Sequence, residues 1–307
     1  MQSPGRSALL VIAGLALAGG ASAQGMHPLP AGPRPLHVRM AEADAVAIGR
    51  VAEIGEGRIA VRDAVALRGA PGASFEVKRA PSQAPALAVG AQAVFLLRGA
   101  RSPYVLIDAP PELLVLRDEE SAAAWRAALA RILDAGDDPA RLLPIYLAWL
   151  DGDDESMRHV AGAALLDPRG KLTPLAAQEA VARAHVALDS SKGIEVRRVS
   201  ARLAGTNQAG AGALLAGIPD ASPDAQIVNS ALSAGSLLKA PELEAALERA
   251  LANEDVEVRR AALRVASSTW SDRLAAMIRD LSEHEPDPAL RAEAASALLA
   301  HAQPERR

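Results

Sequence analysis

The sequence contains no cysteine. Disulfides, thiolate metal ligands and a cysteine nucleophile are therefore excluded, and the fold must stand on packing even in an oxidising compartment. Aromatic residues are scarce, at 2% of a chain that is 50% hydrophobic. The apolar content is thus mostly alanine, leucine and valine, which suits closely packed helices better than a ligand-stacking groove. Basic residues form no concentrated stripe interleaved with aromatics, so a nucleic-acid partner is not expected.

Motifs that carry chemistry are missing too. No serine lies in a Gly-x-Ser-x-Gly elbow, and neither a phosphate-cradling Gly-x-x-x-x-Gly-Lys nor a dinucleotide Gly-x-Gly-x-x-Gly follows a strand. Six histidines, His27, His37, His159, His185, His284 and His301, are not paired at metal spacing, and capping or solvent exposure is their expected role. The acidic run Asp151, Asp153, Asp154 and Glu155 has the wrong ligand order for a calcium loop and reads as a helix entry. No catalytic residue, metal or cofactor is expected, and the chain is not read as an enzyme.

What is present begins with an export signal. Residues 1–23 combine Arg6, an apolar stretch from Ala8 to Ala18 and the small residues Ala21-Ser22-Ala23 before Gln24. The apolar run falls short of the roughly 20 residues that a membrane-spanning helix needs, and no later run spans. The expectation is a periplasmic or secreted protein with no transmembrane span after signal removal. Residues 24–42, with Pro28, Pro30, Pro33 and Pro35, read as an extended leader that contributes no core. Charge then divides, with a balance of +3 over residues 24–117 and −8 over 118–307.

From Ala43 to Arg117 short runs rich in β-branched residues alternate with glycine and proline. They predict strands over Val46–Ile54, Ile59–Leu67, Phe75–Val77, Ala93–Leu97, Tyr104–Ile107 and Leu113–Leu116. In the second run Ile59, Val61, Val65 and Leu67 are expected on one inward face. Six short strands predict a small antiparallel barrel, because closure removes exposed edges. The stretch Asp44-Ala45-Val46-Ala47-Ile48-Gly49-Arg50-Val51, followed by Leu67-Arg68-Gly69, resembles the opening of OB-like β modules of exported bacterial proteins, which implies a fold more than an activity.

From Asp118 to about residue 303 the periodicity is helical and the chain repeats. A first helix is expected over Ser121–Ala135. Met157, Val196, Ile227, Val258 and Leu290 then recur at intervals of 39, 31, 31 and 32 residues. Asp154, Asp224, Asp255 and Asp287 stand three residues ahead of the aligned residue, where a carboxylate caps a helix, with Gly193 the departure. Partner helices are expected over Ala140–Leu150, Pro174–Leu188, Gly210–Ile218, Pro241–Ala252 and Asp272–Ser282. The pattern Asp255-Val256-Glu257-Val258-Arg259-Arg260-Ala261-Ala262-Leu263 is similar to the second helix of short HEAT repeats. That resemblance implies a curved solenoid of about five pairs, its concave side lined by second helices. The fold class expected is α+β in separate domains, with a tail at 304–307.

One constellation stands out. Arg158, Arg197, Arg259 and Arg291 follow the aligned residue, with Val228 the exception, and Arg198 and Arg260 stand beside two of them. Such a ladder either meets the carboxylates of a protein or peptide partner or holds neighbouring repeats in register. A protein-binding scaffold is the function expected. The alternative is an enzyme, enzyme inhibitor or small-ligand binder centred on the β module, with Asp44, Asp63 and Asp108 as candidate carboxylates.

Overall fold

A computed structural model describes residues 34–78, 87–107, 114–221 and 224–302, which belong to one unit running from Pro33 to Arg307. The signal at 1–23, most of the leader, His27, Asp108 and the tail at 304–307 lie outside the described residues. A short helix, α1 (Leu36–Ala41), is followed by six strands: β1 (Ala45–Gly55), β2 (Arg58–Arg68), β3 (Phe75–Lys78), β4 (Gln92–Arg98), β5 (Tyr104–Leu106) and β6 (Val115–Leu116). β1 pairs with β2, β2 with β3, β3 with β5, β5 with β4, and β4 back with β1. The five strands therefore close into a barrel, in which β3 and β5 run parallel while the other pairs are antiparallel. β6 pairs along β4.

Alternation along β1 and β4 explains how the barrel joins the rest. Ala45, Ala47 and Val51, with Ala93, Phe95 and Leu97, fill the barrel with Phe75 and Tyr104. The residues between them, Val46, Ile48, Val94 and Leu96, point the other way and are equally buried. They share one core with Leu36 and Met40 of α1 and with Trp125, Leu129 and Ile132 of the first long helix. Strands and helices change over near residue 118 as expected, but no division of the core falls there. Residues 36–41 are likewise not an extended leader: Leu36 and Met40 make one turn of apolar surface that seals this core.

The second strand also departs from expectation. Ile59 and Val61 face inward, yet Val65 is 43% exposed. A bulge is the reason: Ile48 pairs with Val65 and Arg50 with Arg62, so two residues of β2, Asp63 and Ala64, oppose Gly49 of β1. Asp63, at φ 52°, takes the left-handed conformation there. Opposite it, Gly49 has no room for a side chain, since a Cβ would lie 2.5 Å from Val61 Cγ1.

Eleven helices follow among the described residues: α2 (Glu119–Ala135), α3 (Pro139–Leu150), α4 (Glu155–Leu166), α5 (Ala177–Leu188), α6 (Ile194–Ala204), α7 (Gln208–Ala221), α8 (Ala225–Leu238), α9 (Leu243–Leu251), α10 (Val256–Thr269), α11 (Asp272–His284) and α12 (Pro288–Ala302). After α2 they pair as α3/α4, α5/α6, α7/α8, α9/α10 and α11/α12. Second helices pack in one row, α4 on α6, α6 on α8, α8 on α10 and α10 on α12. First helices pack in another, α5 on α7, α7 on α9 and α9 on α11. Between the rows lies a second core from Ala184 to Ala294.

The predicted caps are in place. Asp154 accepts from Met157 N at 2.9 Å, Asp224 from Ile227 N at 3.1 Å, Asp255 from Glu257 N at 2.7 Å and Asp287 from Leu290 N at 2.7 Å. Each cap is worth about 1 kcal/mol. Four starts shift by two or three residues: α2 begins at Glu119 rather than Ser121, α5 at Ala177 rather than Pro174, α7 at Gln208 rather than Gly210 and α9 at Leu243 rather than Pro241. Leu175 is held extended ahead of α5, its N–H donating to Thr206 Oγ1 at 3.2 Å and its carbonyl accepting from Asn207 Nδ2 at 3.1 Å. No helix among the described residues is long and apolar enough to cross a membrane.

Candidate functional site

The arginine ladder is placed along the second-helix row, and most of it is occupied internally. Arg198 on α6 reaches Asp224, the cap of α8, with Nη2 2.7 Å from Oδ2. Burial alone would raise the Asp224 carboxyl, but the hydrogen bonds from Arg198 and from the α8 backbone outweigh it and hold the carboxyl below its usual range. Arg259 on α10 grips Glu285, the residue after α11, through two parallel bonds of 2.8 and 2.6 Å. Its remaining Nη1 donates to the carbonyls of Asn253 and Glu254. Arg260 meets Asp287, Glu293 and Glu257. These contacts join α5/α6 to α7/α8 and α9/α10 to α11/α12, which favours the register role.

Arg197 is buried, with Nε donating to the Ala187 carbonyl at 2.9 Å, and Arg158 Nη1 donates to Gly152 O at 2.8 Å. Both bind backbone within their own pair, Arg158 at the α3–α4 loop and Arg197 at the last turn of α5. Arg291 is exposed, and its side chain has no ion pair among the described residues. Of the six arginines it alone keeps a guanidinium free for a partner. The Glu285 side chain is 2% exposed, and the Arg259 hydrogen bond holds it ionised, below the usual carboxylate range. An unpaired carboxylate could not be buried so deeply.

Sequence reasoning missed two further arginines, Arg202 and Arg264. They stand at equivalent positions of α6 and α10, four residues beyond Arg198 and Arg260. Both are exposed and without an ion pair among the described residues. The signal was available, because each repeats at the 31-residue period with Ser233 between them. A third link, Arg183 on α5 to Asp151 after α3 at 2.8 Å, was also unforeseen. It takes up the first carboxylate of the acidic run, and Asp154 caps α4.

The candidate carboxylates of the β module do not converge. Asp44 Oδ2 accepts the backbone N–H of Gly99 at 2.8 Å and pins the end of β4. Asp63 sits on the bulge of β2. A cleft of about 150 Å³ opens beside it, between the barrel and α2, lined by Ile48, Arg50, Asp63, Gln92, Glu119 and Arg126 among others. Its charges are closed on one another: Glu119 accepts from Gln92 Nε2 at 2.7 Å and from Arg126 Nη2 at 2.9 Å.

Among the histidines, His159, His185 and His284 are exposed. His301 stacks on Trp270 with 3.7 Å between ring centroids. No group of three or more His, Asp or Glu suited to a metal ion occurs among the described residues. His37 corrects the expectation of capping or exposure. It is buried at the meeting of α1, α3 and the short 3-10 turn Pro168–Gly170. Its backbone N–H donates to Tyr146 Oη at 3.2 Å, and its Nδ1 lies 3.1 Å from the same oxygen. Burial pushes the imidazole below its ordinary 6.5, against smaller opposing effects of Gly170, Asp167 and Asp137.

No family model, curated protein or solved structure matches the chain.

Proposed function

We propose that the protein is exported and serves as a protein-binding scaffold, its barrel an OB-like module and its paired helices short HEAT-like repeats. The two continuous helix rows carry the reading. They expose repeated, equivalent positions on a rigid frame, the usual architecture of extended recognition surfaces. The barrel order β1-β2-β3-β5-β4, closed back on β1, supports the OB-like half.

Because barrel and helices share a core, the test uses the full chain. A photo-crosslinking residue is placed singly at His159, Arg202 or Leu237 on the second helices and at Ala182 or Ala276 on the first. Each variant is irradiated with the envelope fraction of the producing cell. One adduct of defined mass, formed from one row and not the other, supports the scaffold. Absence of any adduct from all five positions refutes it.

The cleft beside Asp63 favours a second reading, a small-ligand binder, enzyme or enzyme inhibitor centred on the β module. Its volume is below the roughly 300–1,000 Å³ of ordinary ligand pockets. Loss of ligand-induced shifts in an Arg50→Ala or Arg126→Ala variant, during a fragment screen by NMR, would favour that reading over the scaffold.

A further inference from the structure

We propose that the outward face of α8, between Arg202 on α6 and Arg264 on α10, docks an extended acidic segment of a partner protein; this rests on the scaffold reading and gives it a seat.

Three observations meet at this face. The first is the charge of α8 itself, Ala225–Leu238, whose fourteen residues include no Asp, Glu, Lys or Arg. A half-exposed helix normally keeps charged residues on its solvent side. Here the solvent side carries Gln226, Asn229, Ser233 and Leu237, spaced three or four residues apart on one stripe. The second is Leu237, 82% exposed, the most exposed large hydrophobic side chain among the described residues. The third is the pair of free guanidiniums on the flanking helices. Arg202 and Arg264 lie 31 residues either side of Ser233, and α6 and α10 both pack on α8. They therefore bracket the stripe at the same height. A neutral strip with one apolar anchor and a charged rim is the make-up of a recognition patch, apolar at the centre and polar at its edge.

Their neighbours one turn back behave differently. Arg198 and Arg260 are satisfied by Asp224, Asp287 and Glu293 and hold the stack together. Arg202 and Arg264 hold nothing among the described residues, and α8 sets no carboxylate between them. Charge complementarity selects an acidic occupant. A long polyanion is disfavoured, since residues 118–307 carry a balance of −8. A short segment confined to the strip meets the two guanidiniums without crossing that field.

Geometry sets its spacing. Packed helices lie about 8–10 Å apart, so the two arginines are separated by about 16–20 Å. An extended chain covers that distance in about five or six residues. The occupant thus runs across the helices with two carboxylates about six residues apart and an apolar side chain between them, against Leu237.

The probe is a fluorescein-labelled decapeptide of serine and alanine, with one central leucine and two glutamates six residues apart. It is titrated with the full-length protein at low salt and read by fluorescence anisotropy. A second peptide of the same composition carries its glutamates side by side. Saturable binding of the spaced peptide is expected, weakened at least tenfold in the R202E/R264E double variant and markedly by Leu237→Ser. Arg131→Glu, which reverses an exposed arginine of α2, should leave it within twofold. All four altered positions are exposed, so circular dichroism should show the fold intact. The proposal is overturned by any of three results: no saturable binding, equal binding of the adjacent-glutamate peptide, or equal weakening by Arg131→Glu. Crosslinks from Ala182 or Ala276 together with a failed peptide titration would leave the scaffold standing and remove only this seat.

Discussion

The buried His37 makes the stability of the protein depend on pH in a calculable direction. The Tyr146 hydroxyl accepts the His37 backbone N–H and faces Nδ1. Burial pushes the Tyr146 phenol well above its usual range, so it remains a neutral donor at every pH of interest. The charged ring carries a proton on both nitrogens, so one must face an oxygen that already accepts the backbone N–H. The charged groups around it are Asp167 and Arg169 on the 3-10 turn, Asp137 before α3 and Arg39 on α1. Asp167 is itself engaged by Arg169, which lowers its carboxyl and reduces what it offers the imidazolium.

The sign follows from linkage. The folded value lies below the unfolded 6.5. The contribution is complete above about 6.5, and it is lost as pH falls through the folded value, by at most about 1.4 kcal/mol per pH unit in that window. Tyr146→Phe isolates the hydrogen bonds from the charge. It leaves a buried N–H and a ring nitrogen without their partner, at a cost of about 1–3 kcal/mol at neutral pH. Urea unfolding followed by tryptophan fluorescence suits both measurements, because Trp149 packs on Tyr146 with 5.4 Å between ring centroids and Trp125 packs on Trp149. NMR titration of the His37 ring gives the folded value directly. A His37 midpoint at or above 6.5, or a Tyr146→Phe variant as stable as the parent, would refute the account.

Two further substitutions test the packing. Glu285→Gln removes the buried negative charge but leaves Arg259 its two backbone carbonyls. It should cost about 3 kcal/mol in chemical denaturation. The parent should lose the same contribution in acid, since it is complete above about pH 4.5 and fades as pH falls through the depressed value of Glu285. Gly49→Ala drives a methyl against the stiff Val61 side chain and should lower stability by about 1–3 kcal/mol, measured as a shift in Tm; an unchanged Tm would show that the bulge of β2 relaxes freely.

Much of the frame was legible because it rests on local signals. The strands Val46–Ile54 and Ile59–Leu67 and the capping aspartates are set by residues within a few positions of one another, and β1, β2, α4, α8, α10 and α12 form where those signals stand. What escaped reading depends on tertiary partners. Val65 continues the alternation of Ile59 and Val61 in sequence, and only pairing with Ile48 across a bulge turns it outward. Leu36 and Met40 follow four prolines, and nothing nearby in sequence reveals that Trp125 and Leu129 wait to cover them. In the ladder, position predicted the row correctly but not its occupancy. Asp224 and Glu285 lie 26 residues from the arginines they satisfy, so the ladder looks free until the stack forms.

The shared core yields a sharper test than any point substitution. Residues 43–117 hold a complete barrel, and composition alone marks them as a separable module. Excising them would expose Val46, Ile48, Val94, Leu96 and Leu116, all buried against helices in the whole chain. At about 1.5–3 kcal/mol for each aliphatic side chain, the loss is about 8–15 kcal/mol, comparable to the entire stability of an ordinary domain. The excised barrel should therefore be unfolded or aggregated. A longer fragment, residues 34–206, keeps every member of the first core, including Ala180 and Leu203. It surrenders only its face toward α7 and α8. That fragment should give a dispersed amide spectrum and a cooperative thermal transition, and residues 43–117 should give neither. Cooperative folding of 43–117 alone would mean that its outer face tolerates water, and that α1 and α2 are laid onto an independent barrel rather than built into it.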